Sequence, residues 1–177
     1  FAVANSPYGR VVADVVGDGK LDIVTAKSGG FGAGNTVSVL RNTATVGSIT
    51  NNSFATRVDF QVAQGPVKVA IGDLDGDGRM EIVAITSEGG GASVLRNTGS
   101  SGTMNTNSFA PYVHFLTGPN SVDIRIADLD GDGKRDLVTT CYNNGTASLL
   151  RNISTLGSIT TNSFAPRVDL SVGTTYG

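Results

Sequence analysis

The sequence predicts an all-β fold assembled from repeated four-stranded units, on three observations. Short landmarks recur on a fixed beat. Leu-Arg-Asn stands at 40–42, 95–97 and 150–152, and Ser-Phe-Ala at 53–55, 108–110 and 163–165, so both repeat every 55 residues. Apolar residues alternate with others at period two in short segments, and no segment of helical length sustains a period of 3.6. Twenty-four glycines, with abundant Thr, Val, Ser and Asn, favour short strands joined by turns. A long period with a fixed motif in each unit marks a propeller or a solenoid, in which units stack to bury their faces. Four strands per unit favour the blades of a β-propeller, three of them in this chain.

The elements follow in chain order. In the first strand of a unit, Val67, Val69 and Ile71 alternate with Lys68, Ala70 and Gly72, as Val122, Ile124 and Ile126 do with Asp123, Arg125 and Ala127. An acidic loop ends that strand. The second strand is IVAIT (82–86) or LVTTC (137–141), apolar and rich in β-branched residues. A Gly or Asn turn, EGGG (88–91) or NNGT (143–146), leads into the third, ASVLRN (92–97) or ASLLRN (147–152). The fourth lies around SFAPYVHF (108–115) and SFAPRVDL (163–170). Four extra residues within SGGFGAGNT (28–36) lengthen a hairpin turn of the first unit. Phe1 aligns with Phe60, Phe115 and Leu170, which sets blade-length repeats at 1–59, 60–114 and 115–169 within one repeat domain. Residues 170–177 begin a further repeat or supply a closing strand, and TTYG (174–177) echoes SPYG (6–9).

The acidic loop carries the chemistry. GDLDGDGRMEI (72–82) and ADLDGDGKRDL (127–137) place Asp at alternate positions, a glycine at the turn and a further acid four residues on. Such spacing wraps oxygen ligands around one ion, and four carboxylates so close repel one another without a cation. The donors are all oxygen, with no Cys, His or Met required, and a flexible carboxylate loop suits Ca²⁺ better than the stricter octahedron of Mg²⁺. Positions 1, 3, 5 and 9 offer side-chain oxygens and position 7 a carbonyl. The second loop assigns these to Asp73, Asp75, Asp77, Glu81 and the carbonyl of Arg79, and the third to Asp128, Asp130, Asp132, Asp136 and the carbonyl of Lys134. An EF-hand needs a Glu at position 12, where this chain has Ala84 and Thr139. Acidic β-turns without an ion are the competing reading, and two near-identical copies weigh against it. The first loop, ADVVGDGKLDI (13–23), keeps Asp14, Asp18, Lys20 and Asp22 but puts Val16 in place of the second carboxylate, which predicts a weak or empty site.

At this point the residues carry a resemblance. DLDGDGRME (73–81), DLDGDGKRD (128–136) and the degraded DVVGDGKLD (14–22) are similar to the motif D-x-D-x-D-G-x-x-D of the FG-GAP or VCBS repeat family, whose units resemble blades of the integrin alpha-subunit propeller. It spans essentially the whole chain as three units. The resemblance implies a Ca²⁺ loop between the first two strands of a blade. It also implies an extracellular or cell-surface setting, since such blades occur in adhesins, lectins and domains attached to secreted enzymes.

Other residues are weighed against plainer roles. Arg41, Arg96 and Arg151 can line an anion-binding surface, but a repeated Arg more often pairs with a carboxylate or with carbonyls of a neighbouring unit. Phe54, Phe109 and Phe164 read as packing between blades rather than as platforms for sugars. His114, aligned with Asp59 and Asp169, reads as a solvent-facing strand position, and Tyr8, Tyr112, Tyr142 and Tyr176 as candidates for a ligand-facing rim. Cys141 is the one cysteine and leaves the redox compartment open. A net charge of −2 with no basic tract argues against nucleic acid, and no stretch is long and apolar enough for a membrane helix. No signal peptide precedes Phe1, a start that fits a removed leader. No nucleophile with its base, and no pair of carboxylates outside the loops, suggests an enzyme. The expected function is a Ca²⁺-binding module for a carbohydrate or protein ligand. The alternative is a structural spacer or accessory domain of a larger secreted protein or enzyme. Closed propellers have four to eight blades, so three predict either a homodimer that closes a six-bladed ring or a piece of a longer array whose missing blades are supplied in cis.

Overall fold

The structure is a computed structural model and describes residues 7–29, 34–86, 90–142 and 145–173. Among these residues there is no helix, and the strands form three antiparallel sheets of four. The first sheet holds β1 (Pro7–Ala13), β2 (Asp22–Lys27), β3 (Thr36–Leu40) and β4 (Val58–Gln61). The second holds β5 (Pro66–Gly72), β6 (Glu81–Thr86), β7 (Gly91–Leu95) and β8 (Val113–Leu116). The third holds β9 (Ser121–Ala127), β10 (Asp136–Cys141), β11 (Thr146–Leu150) and β12 (Val168–Ser171). Each is a meander in chain order, with one register in all three: Ala13 pairs Asp22, Gly72 pairs Glu81 and Ala127 pairs Asp136. The acidic loop is therefore the connection between the first two strands of every sheet. Residues 30–33 of the long first turn, 88–89 and 143–144 of the other hairpins, and the ends with Phe1, Ser6 and the TTYG segment including Tyr176 lie outside the described residues.

The fourth strands begin later than the landmark Ser-Phe-Ala suggests. That landmark makes only an isolated bridge to the Leu-Arg-Asn segment, at Asn42–Phe54, Asn97–Phe109 and Asn152–Phe164. In the second and third sheets Pro111 and Pro166 follow it at once and bring no N–H to the ladder.

No sheet has a core of its own. One apolar cluster joins Val24, Ala26, Val37 and Val39 of the first sheet to Val69, Ile82, Ala84 and Leu95 of the second. The other joins Val83, Ile85 and Val94 of the second to Ile124, Leu137 and Leu150 of the third. Alternate residues of β6 thus serve opposite interfaces, which is why all six are buried. Only one face of β10 is covered, so Leu137 and Thr139 are buried while Val138 is half-buried and Thr140 exposed. Each junction carries an edge-to-face phenylalanine pair, Phe60–Phe109 with centroids 4.9 Å apart and Phe115–Phe164 at 4.8 Å, as the packing reading of these rings expects. Phe54 is half-buried.

The first strands of successive sheets lie side by side. A Cβ on Gly9 would come within 2.5 Å of Lys68 Cα, so β1 and β5 approach closely there. Lys68 Nζ stands 3.3 Å from Asp123 across the next junction. His114 corrects its sequence reading: it is half-buried, with Nδ1 3.4 Å from Ser93 Oγ, and burial pushes its pKa down. The reason is a repeated serine. Ser38 and Ser148 donate to Asp59 and Asp169 at 2.5 and 2.6 Å, and Ser93 meets His114 at the equivalent place.

Candidate metal centre

Local backbone chemistry builds the acidic loop before any ion is considered. The first carboxylate of each loop accepts two N–H groups: Asp73 from Gly76 (2.8 Å) and Gly78 (3.0 Å), Asp128 from Gly131 and Gly133 at the same distances, and Asp14 from Asp18 and Gly19. The glycines at positions 4 and 6 hold positive φ throughout, for example 74° and 84° at Gly76 and Gly78, which residues with a Cβ adopt only at a cost. The ninth residue is the inner anchor. Glu81 is buried and accepts from Leu74 N (2.7 Å) and Asn97 N (3.2 Å), as Asp136 does from Leu129 (2.9 Å) and Asn152 (2.8 Å). Asp22 does the same with Val15, Val16 and Asn42.

Two donor sets converge. Asp73, Asp75 and Glu81 each offer a carboxylate oxygen, the three within 4.8 Å of one another, and so do Asp128, Asp130 and Asp136. Oxygens around one hard cation stand within about 5 Å of one another, so these all-oxygen sets could hold a metal ion. Among the described residues these are the two such groups, and Asp14, Asp18 and Asp22 do not form a third. Val16, buried, fills the place that Asp75 takes in the second loop. The fifth-position acids stand outside the convergent sets. Asp77 Oδ2 meets Arg79 at 2.5 Å and Arg96 at 3.3 Å, while Asp132 accepts the N–H of Lys134. The seventh-position residues serve otherwise through their side chains: Lys20 Nζ donates to Ala44 O and Lys134 Nζ to Ser154 O, both at 2.9 Å.

Charge is partly compensated from within. Arg96 Nε donates to Asp75 Oδ2 at 2.7 Å, and the same guanidinium reaches Asp77; these bonds hold its own pKa up. Arg41 and Arg151 stand 3.8 Å from Asp18 and Asp130. Burial favours the neutral form of Asp77, but the N–H and guanidinium of Arg79 and the charge of Arg96 outweigh it and keep its pKa low. Glu81 goes the other way. Burial, aided by Asp75 and Asp77, pushes it up to about 7 against the pull of its two N–H donors. Asp22 is likewise raised by burial.

Sequence reasoning noted the recurrence of Leu-Arg-Asn but gave its Asn no role. Asn97 Nδ2 donates to Met80 O in its own loop and to Val15 O in the first sheet, and Asn152 Nδ2 to Arg135 O and to Leu74 O in the second. The connection that follows each of these Asn residues lies over the acidic loop of the preceding sheet. Gly102 N donates to Val16 O at 2.8 Å and Gly157 N to Asp75 O at 2.9 Å. The signal was the fixed beat, which keeps each Asn in step with an acidic loop. Tyr8, Tyr112 and Tyr142 are exposed, and Cys141 is buried.

Among the described residues no helix is long and apolar enough to cross a membrane. Comparison with curated proteins and with solved structures finds no match. A family model described as FG-GAP-like repeat matches residues 14–84, which hold the first two acidic loops, and again residues 76–139, which hold the third. With most of the chain matched, and with one acidic loop between the first two strands of each sheet, this protein belongs to the FG-GAP-like repeat family.

Proposed function

We propose that this chain is a calcium-binding β-propeller module that works outside the cell or at its surface as a binding or adhesion domain, without enzymatic activity. The observation that carries the metal reading is the convergence of Asp73, Asp75 and Glu81, and of Asp128, Asp130 and Asp136, as two compact sets of oxygen donors. The three sheets are the blades, with repeats 1–59, 60–114 and 115–169, and two copies close a six-bladed ring. The second and third loops bind the ion, with Asp77, Asp132 and the carbonyls of Arg79 and Lys134 completing the shells. The first loop, with Val16 in place of a carboxylate, binds weakly or not at all. The ligand is a carbohydrate or a protein. The spacer reading draws support from Phe109 and Phe164, which are buried in packing and not free to stack on a sugar.

Ca²⁺ that binds only the folded chain stabilises it by about 2.7 kcal/mol at a hundredfold excess over the dissociation constant. A chelator should therefore lower the melting temperature. Asp73→Ala and Asp128→Ala should each shrink that response, and Asp14→Ala should leave it nearly whole. Each loses two turn hydrogen bonds from loop N–H groups, so the difference in chelator response isolates the ion. A melting curve indifferent to chelator removes the metal reading. A glycan array with Ca²⁺ then separates a sugar-binding module from protein adhesion or spacing.

A further inference from the structure

Both internal junctions are made the same way. The connection after the third strand of one sheet lies over the acidic loop of the sheet before it, fastened by a glycine N–H and an asparagine Nδ2 on two successive loop carbonyls. At the first junction these are Gly102 N to Val16 O (2.8 Å) and Asn97 Nδ2 to Val15 O (2.9 Å). At the second they are Gly157 N to Asp75 O (2.9 Å) and Asn152 Nδ2 to Leu74 O (2.8 Å). An apolar residue of the connection seals each junction: Met104 packs against the first core and Ile159, 9% exposed, lies within the second. The loop side is equally covered, Val15 and Leu74 being 2% exposed each.

The same two halves are present once more on this chain, uncovered. The connection 43–53 of the first sheet keeps Gly47 at the place of Gly102 and Gly157, and Ile49 at the place of Met104 and Ile159, where it is 85% exposed. The third acidic loop presents Leu129 at the place of Leu74, 52% exposed. A large aliphatic side chain in water at both places, where the made junctions bury Ile159, Val15 and Leu74 and half-bury Met104, is a self-complementary pair of surfaces.

We propose that a second copy of this chain docks here, its 43–53 connection covering the 128–136 loop, with Gly47 N on Asp130 O, Asn42 Nδ2 on Leu129 O and Ile49 seated beside Leu129. The occupant is a second copy because the socket is the one that this chain's own connections already fill twice, and the plug that matches it is on the same chain. Two copies related by a twofold axis make the junction twice. This deepens the proposed function, since it rests on the ring proposed there and names the surfaces that close it. The plug half is separable from the ion, because Ile49 lies outside both donor sets, whereas Leu129 stands between the donors Asp128 and Asp130.

The experiment is sedimentation of the full chain in Ca²⁺ across micromolar concentrations, with Ile49→Asp, Leu129→Asp and their equimolar mixture, each checked for unchanged circular dichroism. Wild type should be dimeric, and each variant alone at least about tenfold weaker in self-association, as expected when a central apolar anchor of an interface is replaced by a charge. In the mixture one junction joins the intact plug of Leu129→Asp to the intact socket of Ile49→Asp while the other carries both substitutions, so the one-to-one complex should be tighter than either variant's self-complex and weaker than wild type. If Leu129→Asp does not fold, Leu129→Gln takes its place. A wild type that stays monomeric, or a mixture that associates no better than either variant alone when wild type is dimeric, overturns the proposal. The chelator response of the melting curve, read on wild type and on Ile49→Asp, reports separately on the metal reading.

Discussion

Glu81 is buried, and burial with its acidic neighbours pushes its carboxyl up to about 7, against 4.5 in an unfolded chain. A carboxyl that holds its proton more tightly when folded favours the folded state at low pH. Its contribution is fully present below about 4.5 and is lost as pH rises through about 7, on the order of 3 kcal/mol in all. Asp22, raised above 3.8 by burial, acts in the same direction. Asp77 and Asp123 are held low by their cationic partners and lose their contribution only below 3.8, outside this window, while His114, pushed below 6.5 by burial, opposes Glu81 within it through a smaller shift. The chelated protein should therefore melt at falling temperature as pH goes from 4.5 to 7.5. Bound Ca²⁺ requires ionised donors, so its stabilisation grows with pH and should flatten or reverse that slope. A chelated chain that gains stability steadily over the same range contradicts the assignment of Glu81 as a buried, proton-retaining anchor.

The elements were legible where one local rule decides them. The glycines and alternate acids of the loops, the β-branched run of β6 and β10, and the fixed beat of the landmarks each act through short-range geometry, and the structure has a strand pair around every acidic loop. The roles that escaped depend on neighbours distant in sequence. Asn97 reaches Val15 across 82 positions and His114 is covered by Ser93 of the adjoining strand, and period-two patterning is silent on both. The donor set shows the same divide: spacing proposes Asp73, Asp75, Asp77 and Glu81 alike, whereas the fold brings Asp73, Asp75 and Glu81 together and pairs Asp77 with Arg79 and Arg96. Burial of β6 against β10 follows from position in the stack and gives a direct test. Ile85 and Thr140 occupy the same place in their strands, but the first faces the third sheet and the second faces solvent. Ile85→Ala should cost about 2–5 kcal/mol, the usual range for a buried aliphatic truncated to Ala. Thr140→Ala should stay within about 0.5 kcal/mol, as exposed substitutions do. Urea titration of the two variants checks this, and similar midpoints would mean that the sheets do not bury β6 on both faces in solution.

At the scale of the whole molecule, the sheets are bound into one unit because their cores lie between them and not within them. The junction of the second and third sheets buries Ile85, Phe115, Ile124, Leu137, Leu150 and Phe164, at roughly 1.5–3 kcal/mol for each such side chain. Undocking the third sheet would forfeit on the order of 10 kcal/mol, as much as the roughly 5–15 kcal/mol that holds a typical domain folded. A state with one sheet detached and the others intact is therefore too costly to populate, although the units are repeats and meet only their neighbours. The described tyrosines supply a probe on each sheet: Tyr8 lies on β1, Tyr112 just before β8 and Tyr142 just after β10. With fluorotyrosine incorporated and Ca²⁺ held constant, all three resonances should lose their native shifts at one urea midpoint and with one slope, the mark of a single cooperative transition. A Tyr142 midpoint well below that of Tyr8 and Tyr112 would show the third sheet leaving first. The interfacial core around Ile85 and Leu137 would then contribute far less than its burial implies.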